Sequence, residues 1–355
     1  DLHSFPTRRS SDLCPACTAP LRFDPKSNLL VCDYCDSKFE VEKIDSLYAE
    51  KIKGGIDKGS ISLKTYTCSS CGAELFCDEV TVASSCPYCS NPNIIAGKFK
   101  DKEMPDLVIP FKLEKKEAVE ALTKFYKGKK LLPKVFSEEN HIEEVKGVYI
   151  PFWFFSGEAE IKLRAKAQKV NVVTTSKERI ENISHFNIER QGIVPFKNIP
   201  VDASVKMDNA MMDSLEPFNY DDLKPFTPSY LPGFFAESYD DDAENCQKRL
   251  EARVSKTAEE KMLFDVRGYS SVEGLSSEVN TKLSQKPAYA FLPVWLLSTR
   301  WKDKNYLFAM NGQTGKMVGK LPVDKGRFAA WLCSIMAGGL LLLTPLIYTL
   351  IIKGM

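Results

Sequence analysis

Eight of the eleven cysteines in this chain fall into four Cys-x-x-Cys pairs. Cys14, Cys17, Cys32 and Cys35 form one set, and Cys68, Cys71, Cys86 and Cys89 repeat its spacing without a gap. In such a pair two thiolates leave one tight turn, close enough to occupy two corners of a tetrahedron. A second turn, brought alongside by a hairpin, fills the other two, as in a closed four-thiolate zinc site. Between the pairs, LRFDPKSNLLVC alternates as a strand, turns over Asp24 to Asn28 and returns, and AELFCDEVTVASSC does likewise, so both sets read as zinc ribbons. Modules this small bury little core, so the metal supplies on the order of 10 kcal/mol of their folding free energy. Two zinc ions are expected, structural rather than catalytic, because four cysteines leave no position for water. Iron is the less favoured ion, and Cys86-Pro87-Tyr88-Cys89 is the knuckle that suits a rubredoxin-like site. Paired cysteines in a long chain also indicate a reducing compartment, the cytosol.

Catalytic sets are missing from the pattern. Cys77, Cys246 and Cys333 are single, and beyond the first thirteen residues the histidines are His141 and His185, each isolated. There is no Gly-x-Ser-x-Gly. Gly312-Gln313-Thr314-Gly315-Lys316 lacks the Ser or Thr of a phosphate loop after its lysine and has strand-like flanks, so it reads as a hairpin turn. Asp240, Asp241 and Asp242 open a helical stretch reaching Val266, where acidic residues suit the macrodipole better than they make a cation site. No catalytic or cofactor-binding residue and no small-molecule ligand is assigned. An enzyme site near Trp153 and Trp295 is the third reading.

Charge decides between partners. The chain carries a formal net charge of +1. In the first ribbon Arg22, Lys26, Lys38 and Lys43 face Asp24, Asp33, Asp36, Glu40, Glu42 and Asp45; in the second Lys64, Lys98 and Lys100 face Glu74, Asp78 and Glu79. Each zinc with four thiolates adds about two negative charges. Phosphate binding needs concentrated Lys and Arg, so a protein partner is favoured and nucleic-acid binding in replication or transcription is the alternative.

These sets must be positioned by the rest of the chain, for which the expected class is α+β. DLHSFPTRRSSDL, residues 1–13, resembles a conceptual translation of a short-read sequencing adapter and is set apart from the fold. The first ribbon spans 14–42, a helical spacer broken at Gly54-Gly55 spans 43–63, the second ribbon 64–95, and a mixed α+β domain 105–325. Within that domain KKEAVEALTKFYKGKK places Ala118, Ala121, Leu122 and Phe125 on one helical face. GVYIPFWFF and EAEIKLRAKAQKV suggest a hairpin across Ser156-Gly157, and AYAFLPVWLL with its polar return strand repeats the unit: Tyr149-Ile150-Pro151-Phe152-Trp153 matches Phe291-Leu292-Pro293-Val294-Trp295. Proline in a strand belongs at an edge or bulge. Phe328 to Ile352 carries no charge, against the roughly 20 residues a bilayer needs, with Trp331 and Tyr348 near its ends, Gly338-Gly339 for close packing and Pro345 tolerable within. Lys320, Lys325 and Arg327 precede the span and Lys353 follows it, so a single pass through the cell membrane with the bulk in the cytoplasm is expected.

Taken together, CPAC/CDYC, CSSC/CPYC, DLVIPFKLEKKEA, GKKLLPKVF, HIEEVKGVYIPFW, MDSLEPF, FLPVWLL and YLFAMNGQTGKMVGKLPVDK resemble one group of bacterial, mostly Firmicutes, proteins of the transcription-factor-IIB zinc-ribbon type. The likeness runs from Cys14 onward. It implies zinc binding and carries no activity. Similar chains are labelled primosomal or helicase-like, a label that requires nucleotide-binding motifs this sequence lacks.

Overall fold

The computed structural model describes residues 13–52, 63–77, 81, 85–98, 104–133, 145–175, 177–264, 268–302 and 304–353. The adapter-like segment up to residue 12, the Gly54-Gly55 break and His141 lie outside the described residues. Leu13 forms an antiparallel bridge to Pro20.

The first cysteine set sits on a three-stranded antiparallel sheet of β1 (Leu21–Asp24), β2 (Leu29–Cys32) and β3 (Lys38–Glu40), followed by helix α1 (Val41–Ile52). Strands β4 (Lys64–Cys68), β5 (Glu74–Cys77) and β6 (Ile94–Lys98) carry the second set, and they are not a free-standing module. They form one end of a 12-stranded sheet. The rest of that sheet is built from β7 (Leu107–Val108), β8 (Lys146–Thr174), β9 (Arg179–Asp202), β10 (Lys224–Pro225), β11 (Phe235–Glu237), β12 (Ser271–Leu283), β13 (Ala288–Trp301), β14 (Lys304–Asn311) and β15 (Met317–Gly319). Helix α2 (Lys115–Tyr126) buries Ala118 and Leu122, with Ala121 and Phe125 packed alongside. Helices α3 (Asn209–Leu215), α4 (Ala243–Phe264) and α5 (Lys325–Lys353) complete the described α-helices, beside short 3-10 turns at Tyr220–Asp222 and Pro228–Tyr230. The mixed α+β class expected from the sequence is thus the observed one.

The spine is β8, 29 residues long and therefore roughly 90 Å from end to end. Its first part, Val148 to Phe155, is buried on both faces, which is why the sequence there is continuously apolar. Its second part alternates: Ala159, Ile161, Leu163, Ala165 and Ala167 are buried, whereas Lys162, Arg164 and Lys166 point to solvent. Helix α4, through Cys246, Leu250, Val254 and Ala258, covers the apolar side.

The chain does not turn at Ser156-Gly157, as the period break suggested. It runs straight through as one strand, with a bulge opposite β9 between Phe155 and Gly157. A Cβ at Gly157 would collide with the backbone carbonyl of Lys282, so the glycine is there to admit β12 rather than to reverse the chain. The hairpin turn lies beyond Thr174, where β9 starts back along β8.

The internal repeat extends well past its five-residue signature. β11 runs parallel to β8 at Val148 and Tyr149, and β9 takes over from Phe152 onward, so Pro151 occupies the gap where one neighbour hands over to the next. On β13, β7 runs parallel at Ala290 and Phe291 and β14 takes over from Val294, leaving Pro293 in the equivalent gap. Both prolines therefore sit in central strands, not at an edge, at points where the ladder on that side is already interrupted. The tryptophans are equivalent as well. Trp153 Nε1 donates to the carbonyl of Asp241 at 3.1 Å, and Trp295 Nε1 donates to that of Leu113 at 3.0 Å, in each case two residues before a helix. Tyr239 packs edge-on to Trp153 and Phe111 edge-on to Trp295. The order β7–α2–β8–β9 is thus matched by β11–α4–β13–β14, with β12 inserted ahead of β13, and the short first strand of each set pairs with the long strand of the other.

Each indole anchors a helix of the opposite unit. Trp153→Phe and Trp295→Phe are expected to lower stability by about 1–2 kcal/mol apiece through the lost donor and volume, read as a fall in melting temperature of the full chain in detergent.

Candidate metal centre

Each cysteine knuckle is built from the same backbone device. The amide of the first cysteine donates to a carbonyl five residues on, as in Cys14 N to Ala19 O, Cys32 N to Ser37 O, Cys68 N to Ala73 O and Cys86 N to Asn91 O. The carbonyl of that cysteine accepts from the residue after the second cysteine: Thr18, Asp36, Gly72 or Ser90. All four of those residues are left-handed, with φ of 61°, 57°, 68° and 56°. Only one is glycine, so three knuckles hold a side chain in a conformation that L-residues avoid.

This backbone points the sulfurs inward. Cys14 and Cys35 Sγ are 3.6 Å apart and Cys17 and Cys32 Sγ 3.4 Å; Cys68–Cys89 and Cys71–Cys86 are both at 3.6 Å. Within each set every Sγ lies within 4.8 Å of the others. Four thiolates about 2.3 Å from a central zinc would stand roughly 3.8 Å apart, so both sets fit a tetrahedral cation closely. All eight predicted ligands are brought together as two groups of four. Cys77 is buried on β5 outside the second group, Cys246 is buried in α4, and Cys333 is exposed on α5.

Without a cation the thiols share protons unevenly. The Ser37 hydroxyl and amide favour the Cys35 thiolate and bring it down to about 6. The Ala19 amide favours the Cys17 thiolate, but burial and the neighbouring thiols outweigh it and push Cys17 up to about 12. In the second set burial opposes ionisation of Cys68, yet the Cys71 and Ser70 amides bring it down to about 7, whereas burial pushes Cys71 up to about 11. A divalent cation binds all four as thiolates and expels those protons.

The two ribbons are held differently. In the first, Phe23 on β1 packs edge-on to Tyr230 and Phe234, and its amide donates to Pro232 O. Asp45 of α1 accepts from the Thr227 and Ser229 hydroxyls at 2.8 and 2.6 Å. Its cysteine knuckle at Cys32–Cys35 faces away, and Tyr34 is 84% exposed. In the second, the matching residue Tyr88 is 7% exposed and donates to Glu237 Oε2 at 2.6 Å. Ser204 Oγ donates to the other oxygen at 2.9 Å. Ser298 Oγ on β13 donates to the Tyr88 carbonyl, and Ser90 Oγ donates to the Ser298 carbonyl, at 2.8 and 2.7 Å. Glu237, Ser204 and Ser298 have no signature in the sequence; they lie far apart along the chain, and only the fold, with β11 paired to β5, brings them to the Cys86–Cys89 knuckle.

Other sequence candidates resolve as structure. Gly312 to Lys316 is the turn between β14 and β15, with Gly315 at φ 79°. The slot beside Trp295 is lined by Ala118, Leu122, Val145, Phe308 and Met310 and offers no acid, base or nucleophile. Asp240 accepts from the Val205 amide, a contact away from the helix, and Asp241 pairs with Arg249 of α4 itself. His185 is exposed on β9, remote in sequence and sheet position from either sulfur set.

Helix α5 is of another kind. Lys325–Pro345 is long and apolar enough to cross a membrane and is not buried against the body. Its start is tied down by Asp324 N to Leu131 O and by Arg327 Nη1 to Leu132 O.

Fold and sites together define a protein with two four-cysteine clusters that could each hold a metal ion, a large mixed sheet and one C-terminal apolar helix. No known family profile and no solved structure matches the chain. It is 35% identical, over 334 residues covering 94% of this chain and 96% of the relative, to the Bacillus subtilis (strain 168) protein described as uncharacterized protein YdjG, and it belongs to that protein's family.

Cys35→Ser should remove one metal ion per chain and leave the second, whereas Cys86→Ser should remove the other and depress the melting temperature further, because the Cys86 knuckle is hydrogen-bonded to the central sheet through Glu237 and Ser298; elemental analysis and thermal unfolding read the two effects. Burial also holds the Glu237 carboxyl protonated up to about 8, against the Tyr88 and Ser204 hydroxyls that favour its charge, with Asp240 adding to burial and Lys206 opposing it. An unfolded glutamate loses its proton near 4.5. Between those values the folded state binds the extra proton, so this group's contribution falls as pH rises, by about 1.4 kcal/mol per unit at most. Glu237→Gln keeps a neutral hydrogen-bonding group, and its stability relative to the native chain should therefore rise steadily from pH 5 to pH 8.

Proposed function

We propose that this protein is a membrane-anchored scaffold: two structural zinc ribbons of the transcription-factor-IIB type on a duplicated α+β body, held at the cytoplasmic face of the cell membrane by α5, with the first ribbon presented to a protein partner. The observation that carries this reading is the contrast between two equivalent tyrosines. Tyr88 is consumed by the chain's own sheet, whereas Tyr34, at the same place in the same knuckle, is exposed. Aromatic side chains on a rigid turn are the usual anchors of protein interfaces. The flanking Asp36, the Glu40 and Glu42 of the same ribbon and the surplus charge of a four-thiolate zinc make this surface acidic, which disfavours a phosphate backbone and suits a basic protein surface. Two closed sets of four cysteine sulfurs suit zinc as a structural ion. The positive residues Lys320, Lys325 and Arg327 before the span support the cytoplasmic orientation.

A photo-crosslinking phenylalanine analogue placed at Tyr34 of the full chain in cells tests the reading. The expected adduct is destroyed by protease and untouched by nuclease, and is absent when the analogue replaces Phe264. A nuclease-sensitive adduct, together with salt-dependent DNA or RNA binding lost in Cys35→Ser, would establish the nucleic-acid alternative instead.

A further inference from the structure

The outer part of β8 and β9 carries a feature that anchoring and partner binding do not use. β12 stops at Ser271, opposite Gln168, and α4 ends at Phe264, so beyond them β8 and β9 continue as a two-stranded ribbon. Val172, Val173, Ile180, Ile183 and Phe186 on this tip are between 40% and 52% exposed. Two strands alone are marginally stable in water, and an apolar unpaired edge is a template for another strand. The two long edges of this arm are not alike. That of β12 is interrupted by a bulge between Glu273 and Ser276, with Gly274 at φ 60°, which blunts it. Along β9 the register against β8 is regular from Arg179 to Phe196, and β9 pairs with β8 alone among the described residues. Pro195, which lacks an amide hydrogen, caps the pairing-competent stretch at its inner end.

We propose that the arm tips of two copies of this chain pair antiparallel along β9, about a two-fold axis through Ser184. The register follows from charge. A two-fold axis normal to the sheet sets opposite one another residues equally spaced about its centre. Centred on Ser184, it places Glu178 opposite Arg190 and Arg179 opposite Glu189, and sets Ile180 against Ile188, with no like charges facing. Moving the centre to His185 would put Glu181 opposite Glu189, a repulsive cross-strand pair. The Ser184-centred pairing also ends before Pro195. It joins the two-stranded tips into a four-stranded sheet and extends the apolar face of Ile180, Phe186 and Ile188 across the axis. The interface is isologous, so it closes as a dimer and does not propagate.

The test uses the full chain in detergent with Cys333→Ser, which removes the cysteine on the apolar helix. Ser184→Cys on this background should form an intermolecular disulfide under mild oxidation, since the two copies of residue 184 face each other across the axis. Asn171→Cys, on the other strand of the same tip, should not. Sedimentation should give twice the chain mass for the unsubstituted protein. Glu178→Arg should weaken the dimer by about tenfold or more, and Glu178→Arg with Arg190→Glu should restore it. A monomeric mass at tens of micromolar, or a dimer indifferent to both charge changes that crosslinks no better through residue 184 than through residue 171, overturns the proposal; the latter result would assign self-association to α5.

Discussion

Four thiols drawn to within 4.8 Å of one another, twice over, are the constraint on which the rest of this molecule depends. The knuckle hydrogen bonds turn the sulfurs inward, but at a cost in backbone conformation. Each knuckle holds the residue after its second cysteine in the left-handed region, and Thr18, Asp36 and Ser90 do so with a side chain that resists it. Strain of that kind persists where surrounding bonds over-determine the turn, and a central cation ligated by all four sulfurs is such a bond. For the second cluster the consequence reaches far beyond the ribbon. β4, which ends at Cys68, and β5, which starts shortly after Cys71, are strands of the large sheet, and the Cys86–Cys89 knuckle is pinned to β11 and β13 by Glu237 and Ser298. A metal held at that cluster would therefore link its binding to folding of the body.

The body pairs two similar sets of strands with their first strands exchanged. Pairing β7 with β13 and β11 with β8 means that neither unit can complete its sheet without the other. The prolines and tryptophans mark the exchange. Pro151 and Pro293 fill the two gaps where flanking strands change over, and Trp153 and Trp295 bond the segments leading into α4 and α2. A symmetric core of this kind needs no catalytic cavity to explain its aromatic content; Phe111, Tyr149, Phe234, Phe291 and Trp295 pack ring against ring as its centre.

Much of this was legible in the residue pattern, and the parts that were not share a cause. The sulfur sets could be read because ligand spacing is local, fixed by one turn and one hairpin. The five-residue repeat around Pro151 and Pro293 showed that two units exist, but not that they interlock, since strand exchange is a matter of pairing between residues more than a hundred positions apart. Ser156-Gly157 looked like a turn because glycine breaks the apolar period; the crowding by Lys282 that requires it is invisible from sequence. Likewise Tyr34 and Tyr88 are indistinguishable as letters in CDYC and CPYC. Only the fold reveals that one faces a buried carboxyl group and the other water. The apolar run at the C-terminal end, by contrast, was plain from composition, because no packing partner is needed to define it.

Elemental analysis of the full chain, purified in detergent with no metal added, tests the centre of this account most directly. Two zinc ions per chain, both released only with loss of folded structure for the second cluster, is the predicted result. A folded protein holding iron, or one holding no metal at either cluster, would contradict it.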